Sequence, residues 1–472
     1  MLAILFLFIG CIGNTQTIKS ESPAEKRLRE IVSLINNYNV EAATNFIQNN
    51  YAPDFLRAQS LEEHRGLIAR INDEGKQVIV SSIDIQKPDE ANALVQIQLT
   101  GAWRQLIIRT EPASPFRITF LQLQLANTPQ QEAEYTKPAT DAAAAKELDE
   151  ISQKLANENI FSGNVLVAKN GKIVFHKAYG LASKEFDYPN NLSTKFIIGS
   201  INKMFTTVGI LQLVEKNKIS LESVVSDILP GILSDSIAHK IKIKHLLTHT
   251  SGLGDFLFTA EMSQKSKENF RTIADYLPAL SGDKLFFEPG TQWHYSNSGF
   301  LVLGAILEKI SGTPYEAYIL KNIYQLSGMV STYFPELDNV NKGLADTYEK
   351  DWLTGKPLFH NTRYYQVIKG TPAGGGFSTC IDLFNFMQAL AAGKLLKPEI
   401  VKIMQTAKPE MNSPNYGFGT EIFDLDSYGH SGGGPGTNAM VQVNQKSGLT
   451  IIVLGNTNTG TNIVVRKALK FF

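Results

Sequence analysis

Two hairpin signals lie far apart in this chain, and together they fix how most of it must close. Asn170-Gly171 splits the apolar run Gly163–Ala168 from Lys172–Tyr179. Asn-Gly between two β-rich runs is a strong tight-turn signal, because both residues accept the positive φ that such a turn needs. Near the other end, Ala439–Asn444 and Leu449–Leu454 form a second hairpin pattern, followed by a helical one through Ile463–Phe472. A helical pattern, Ala142–Asn157, leads into the first hairpin. The segment between is helical and loop-rich, with Leu221–Pro230, Ile243–His249, Ser298–Ser311 and Ile381–Leu390 as its clearest pieces. Sheet at both ends with helices between predicts one α/β domain over 142–472, its ends meeting in a single antiparallel sheet.

The preceding residues have a different rhythm. Helical patterns over Ser22–Ile35, Val40–Ile47 and near Leu61–Ile71 give way to four β-type runs. These are Gln77–Gln86, Ala93–Thr100, Trp103–Arg109 and Phe116–Leu125. Helices followed by consecutive strands with short turns predict a small domain over 23–127 with an antiparallel sheet. In element order it resembles the cone-shaped fold of the nuclear-transport-factor and ketosteroid-isomerase type. No acid/base constellation stands out in it; Asp84 and Asp89 read as surface carboxylates, and the domain as a binding or spacing module. Residues 128–141 are polar with Pro138 and read as a linker. The chain is thus expected to be a two-domain α/β (α+β) protein.

Its first residues, MLAILFLFIGCIGN, are apolar but too short to span a bilayer as an ordinary helix. They read as the apolar part of an export signal, with residues 1–22 as leader. Phe8-Ile9-Gly10-Cys11 resembles a bacterial lipoprotein cleavage box, with Phe where Leu is usual. On that reading Cys11 carries a lipid anchor; on the other, the leader is cleaved shortly after it. The expected location is periplasmic or membrane-anchored. Lys plus Arg and Asp plus Glu are 45 each, so nothing points to nucleic acid as partner. The two cysteines, Cys11 and Cys380, are too few for a disulfide framework or a thiolate metal cluster.

Chemistry concentrates in three stretches. In Phe196–Leu213, Ser200 and Lys203 are three residues apart at the start of a helical pattern, so they share a side one turn apart. Ile201, Met204, Phe205, Val208 and Leu211 are expected to form its one buried stripe. A serine hydroxyl becomes a nucleophile when a nearby base takes its proton, and a lysine with a lowered pKa is such a base. Second, Tyr295 and Asn297 precede the Ser298 helix. A tyrosine beside two cations loses its proton more readily, which makes Tyr295 another candidate base. Asn297 is expected to hold Lys203 or a substrate amide. Third, His430-Ser431-Gly432-Gly433 precedes the Ala439 strand. Glycines let backbone approach a ligand, so the N–H of Gly433 with that of Ser200 is the expected oxyanion hole. His430 or Ser431 is expected to contact substrate or the tyrosine. Gly370–Thr379 is Gly-rich but lacks a Gly-Lys-Ser/Thr ending, so phosphate binding is rejected.

Ser200-Ile-Asn-Lys203, Tyr295-Ser-Asn297 and His430-Ser-Gly432, in that order, resemble the three motifs of the serine β-lactamase and penicillin-binding-protein superfamily. The tyrosine form of the second motif resembles the branch of class C β-lactamases, D-alanyl-D-alanine carboxypeptidases of that type and related esterases. His245-Leu-Leu-Thr-His-Thr-Ser-Gly-Leu253, Pro289-Gly290 and Gly374-Gly-Gly-Phe-Ser378 are similar to that family as well, over roughly 145–472. The resemblance implies that Ser200 forms an acyl-enzyme, that Lys203 and Tyr295 share the proton transfers, and that Asn297 orients. It implies no metal and no cofactor, and a small-molecule or peptide substrate. The departure is His430, where many members carry a lysine. A histidine is mostly neutral near pH 7. That weakens the case for carboxylate-bearing substrates, β-lactams included, and favours esters or amides without excluding a D-amino-acid peptide. The rival reading is a non-catalytic binding or sensor protein on the same fold.

Overall fold

A computed structural model describes residues 21–126, 137–280 and 284–472. The apolar leader with Cys11, and most of the linker, lie outside the described residues. The chain forms two compact units.

In the first unit, helices Pro23–Asn36, Val40–Asn50, Pro53–Ala58 and Leu61–Gly75 precede four strands. Ser22 caps the first helix by accepting the Glu25 N–H, and Ser60 with Glu63 forms a capping box on the last. The strands Val78–Lys87, Glu90–Ile97, Ala102–Thr110 and Ile118–Leu125 pair as an antiparallel meander in chain order. Leu28, Ile31 and Ile35 of the first helix share a core with Ala91, Ala93, Val95, Leu106 and Ile108. The six-residue helix Pro53–Ala58 was not expected; it is too short to show a period. This unit also takes in Asp351–Leu358, remote in sequence. There Trp352 Nε1 donates to Asp73 (3.0 Å) and Tyr38 Oη to the Gly355 carbonyl (2.8 Å).

The second unit is built on a six-stranded antiparallel sheet. Its order is Glu421–Ile422, Ser427–Gly434, Thr437–Asn444, Leu449–Gly455, Gly163–Lys169 and Lys172–Tyr179. The first and last hairpins of the domain therefore meet edge to edge, Val167 opposite Ile451 and Val165 opposite Val453, as their patterns predict. Asn170 and Gly171 take φ of 49° and 74°, the all-positive turn that Asn-Gly favours. The central strands Gly163–Lys169 and Leu449–Gly455 are almost wholly buried, which is why they read as continuous apolar runs.

The helix after Ser200 differs from expectation. It runs Asn202–Glu215 and is buried on every side from Asn202 to Leu213, not along one stripe. A helix that is apolar all round belongs in the middle of a core. It packs on the helix Asn297–Ser311, where Gly209 allows a close crossing: a Cβ there would lie 2.4 Å from Leu307 Cδ1. Leu221–Pro230 is helical only over Val225–Ile228. Short helices of this kind, closed by loops, make up most of the region between the sheet halves.

Candidate active site

Ser200 sits in a single 3-10 turn, Gly199–Ile201, between the short strand Phe196–Ile197 and the buried helix. Gly199 has φ of 49°, and a Cβ on it would come within 2.9 Å of the Gly433 nitrogen. Glycine is therefore required twice over, for the turn and for the strand that lies against it. Ser200 itself stays half-buried, open enough to meet a substrate.

Lys203 is fully buried. Its Nζ contacts Ser200 Oγ (3.0 Å), Asn297 Oδ1 (2.7 Å) and the Ala373 carbonyl (2.6 Å). Burial pulls its pKa down to about 7, against the opposing pull of the carboxylates Asp255 and Glu421. As a neutral amine it keeps two N–H donors for Asn297 and Ala373, and its lone pair is left for the Ser200 hydroxyl proton. An amine so placed has the geometry and the basicity of a general base near neutral pH.

Tyr295 lies beside Ser200, whose hydroxyl favours the ionised phenol, and the Lys203 Nζ lies 4.8 Å from its ring centroid, over the face. The expectation that cations lower its pKa is corrected. Burial raises the phenol well above its ordinary range, and Glu421 and Asp255 raise it further. The charges around it are carboxylates and a lysine that is itself losing its charge. Tyr295 is thus a neutral phenol that holds a proton near the serine, and Lys203 is the better base in the free site.

Asn297 is the first residue of its helix, and Ser296 is the cap, accepting the Gly299 N–H. Asn297 does reach Lys203, as predicted, and its Nδ2 donates to Asp255 Oδ2 (2.6 Å). Asp255 thereby fixes which face of the amide points at the lysine.

The third wall is the strand Ser427–Gly434. Its glycines run beside the Ser200 turn, and a Cβ on Gly432 would strike the Ile198 carbonyl at 2.0 Å. Gly432→Ala is expected to lower turnover about 100-fold, since an ångström of misplacement near the nucleophile costs that much. The check is turnover beside a thermal melt. Gly433 is exposed, and the space beside its Cα is empty.

His430 departs from its expected position. It is wholly buried and contacts neither Tyr295 nor open space. Its Nδ1 is 2.6 Å from the Ser431 carbonyl, so the proton sits there and Nε2 accepts from Tyr416 Oη at 2.8 Å. Burial lowers its pKa and Lys203 adds to this, with Glu421 opposing, so the ring is neutral. Ser431 Oγ donates to Glu421 Oε1 (2.6 Å), and Ser431 N–H to Oε2 (3.1 Å).

Four contributors were not picked out from sequence: Asp255, Tyr416, Glu421 and the role of His249. His249 lies in the His245–Leu253 run already singled out. It is buried, its ring centroid is 4.1 Å from that of Tyr295, and its Nδ1 accepts the Ser296 N–H (3.1 Å). Tyr416 precedes Gly417-Phe418-Gly419, a pattern that marks a turn but not a site. Among the described residues no group of three or more His, Cys, Asp or Glu could hold a metal ion.

A serine hydroxyl held by a buried, readily deprotonated lysine and a neutral tyrosine, beside a glycine strand, defines a serine hydrolase. The chain belongs to the Beta-lactamase family, whose sequence model matches residues 148–470. A penicillin-binding protein of Bacillus subtilis (strain 168) is 31% identical over 342 residues, 67% of this chain and 72% of the relative. The crystal structure of a penicillin binding protein from Bacillus halodurans superposes with a TM-score of 0.61 at 26% identity. It covers 71% of this chain and 100% of that one. A D-stereospecific amidohydrolase from Streptomyces sp. shares the fold with a TM-score of 0.58 at 24% identity, over 69% of this chain and 98% of its own.

Proposed function

We propose that this protein hydrolyses an ester, an amide or a D-amino-acid peptide through an acyl-Ser200 intermediate, and that β-lactams are poor substrates. The observation that carries the proposal is Lys203: fully buried, 3.0 Å from Ser200 Oγ, with a pKa of about 7. Lys203 takes the hydroxyl proton as Ser200 Oγ attacks the carbonyl carbon. The N–H groups of Ser200 and Gly433 receive the oxyanion. Tyr295 gives its proton to the leaving group, and the resulting phenolate, regaining a proton from Lys203, resets the site. Water then attacks the acyl-enzyme with the same groups acting as base and acid in turn. Asn297, braced by Asp255, holds the lysine in place.

The neutral, buried His430 supports the narrowing away from β-lactams, because it offers no cation for their carboxylate. The test is turnover by wild type and Ser200→Ala of a short-chain nitrophenyl ester, a chromogenic cephalosporin and a D-alanyl-D-alanine peptide. Ester hydrolysis that exceeds cephalosporin hydrolysis and disappears in the variant is expected. Efficient cephalosporin cleavage would refute the narrowing.

A further inference from the structure

Resting on the hydrolase reading above, we propose that Glu421 selects the substrate: the site takes acyl donors that carry a protonated amine close to the scissile carbonyl and lack a carboxylate. Glu421 belongs to the sheet's edge strand, opposite Gly429, and its side chain reaches along the neighbouring strand to Ser431. Two hydrogen bonds from Ser431, at 2.6 and 3.1 Å, hold the carboxylate in one orientation. A serine has one hydroxyl proton, and here Glu421 receives it. Ser431 therefore cannot also donate that proton to a substrate carboxylate.

The charge balance points the same way. His430, 3.5 Å from Glu421, is neutral and sealed by Tyr416 and the Ser431 carbonyl. Among the described residues, neither Glu421 nor Asp255 forms an ion pair with a lysine or arginine. Both carboxylates act on Lys203 and on Tyr295, so both belong to the field of the reacting groups. Once Lys203 gives up its proton the site is anionic. The Glu421 side chain keeps 23% of its surface exposed, and a carboxylate has more lone pairs than the two bonds from Ser431 use. In a partly buried site such a field repels a carboxylate and draws an ammonium group.

The test compares the methyl esters of alanine, both enantiomers, and of propionic acid, which differ by the ammonium group alone. The wild type is expected to favour an alanine ester in kcat/KM by about tenfold or more, mostly through KM, and less so as salt is raised. Glu421→Gln is expected to shrink that ratio about tenfold, and Glu421→Asp to retain part of it. If Gln lowers both esters alike and leaves the ratio standing, Glu421 is only structural and the inference falls. Equal wild-type use of both esters also overturns it while leaving the hydrolase reading intact. Turnover of neither ester by wild type overturns this inference, and the absence of a fluorophosphonate adduct on Ser200 then removes the hydrolase reading as well.

Discussion

Ser200→Ala is expected to lower turnover by about a thousandfold or more while leaving the fold in place. The hydroxyl is the atom on which both Lys203 and Tyr295 converge, so its removal leaves two proton carriers with nothing to activate. Activity left over would come from the oxyanion donors and binding alone. The substitution deletes one half-buried oxygen, so a thermal melt should move little. A large loss of turnover with an unchanged melt assigns the effect to chemistry. Turnover within a few-fold of wild type would remove Ser200 from the mechanism.

The second large effect concerns Lys203. Lys203→Ala is expected to cost about 100- to 10,000-fold in kcat/KM, the range for loss of a positioned base. The pH dependence carries the more specific information. The amine must be neutral to accept the serine proton, and burial brings its pKa to about 7. Activity should therefore be low below pH 6, rise through about 7 and level off above it. The tyrosine must stay protonated to act as acid, and burial holds its pKa far above 10, so no fall is expected until strongly alkaline pH. Burial lowers the pKa of His430, so its ring is not the group expected to set the rise near 7. A profile that rises only above pH 9 would mean that Lys203 keeps its charge and that another group is the base.

The parts legible in sequence were those set by local chemistry. Asn170-Gly171 predicts a turn because the two residues accept positive φ, and the turn is there. Val165 and Val167 announce a fully buried strand, and they pair with Val453 and Ile451 as the closed sheet requires. Ser200, Lys203 and Asn297 come together because their motifs place them on adjoining helix starts. Less legible were properties that depend on what surrounds a residue. The Asn202–Glu215 helix shows an apolar stripe in sequence, but its Thr206, Thr207 and Gln212 are buried too, Thr206 and Gln212 hydrogen-bonded to remote segments. Easy ionisation of Tyr295 is an expectation that needs a full cation beside it, whereas burial brings the pKa of Lys203 down to about 7 and raises that of the phenol. Glu421 gave no signal at all, because its meaning comes from a strand pairing that sets its carboxylate on Ser431. Nothing in the His430 motif reveals Tyr416 as its partner, a contact that comes from the packing of two remote segments.

The central claim is that Ser200 is acylated by way of a lysine poised near neutrality. The most direct measurement is the rate of covalent labelling by a fluorophosphonate, followed by intact mass across pH, in wild type and Ser200→Ala. A single adduct on the Ser200 peptide is predicted, forming faster as pH rises through about 7 and absent from the variant. No adduct on the wild type, or equal labelling of the variant, would contradict it and favour a binding protein built on a hydrolase fold.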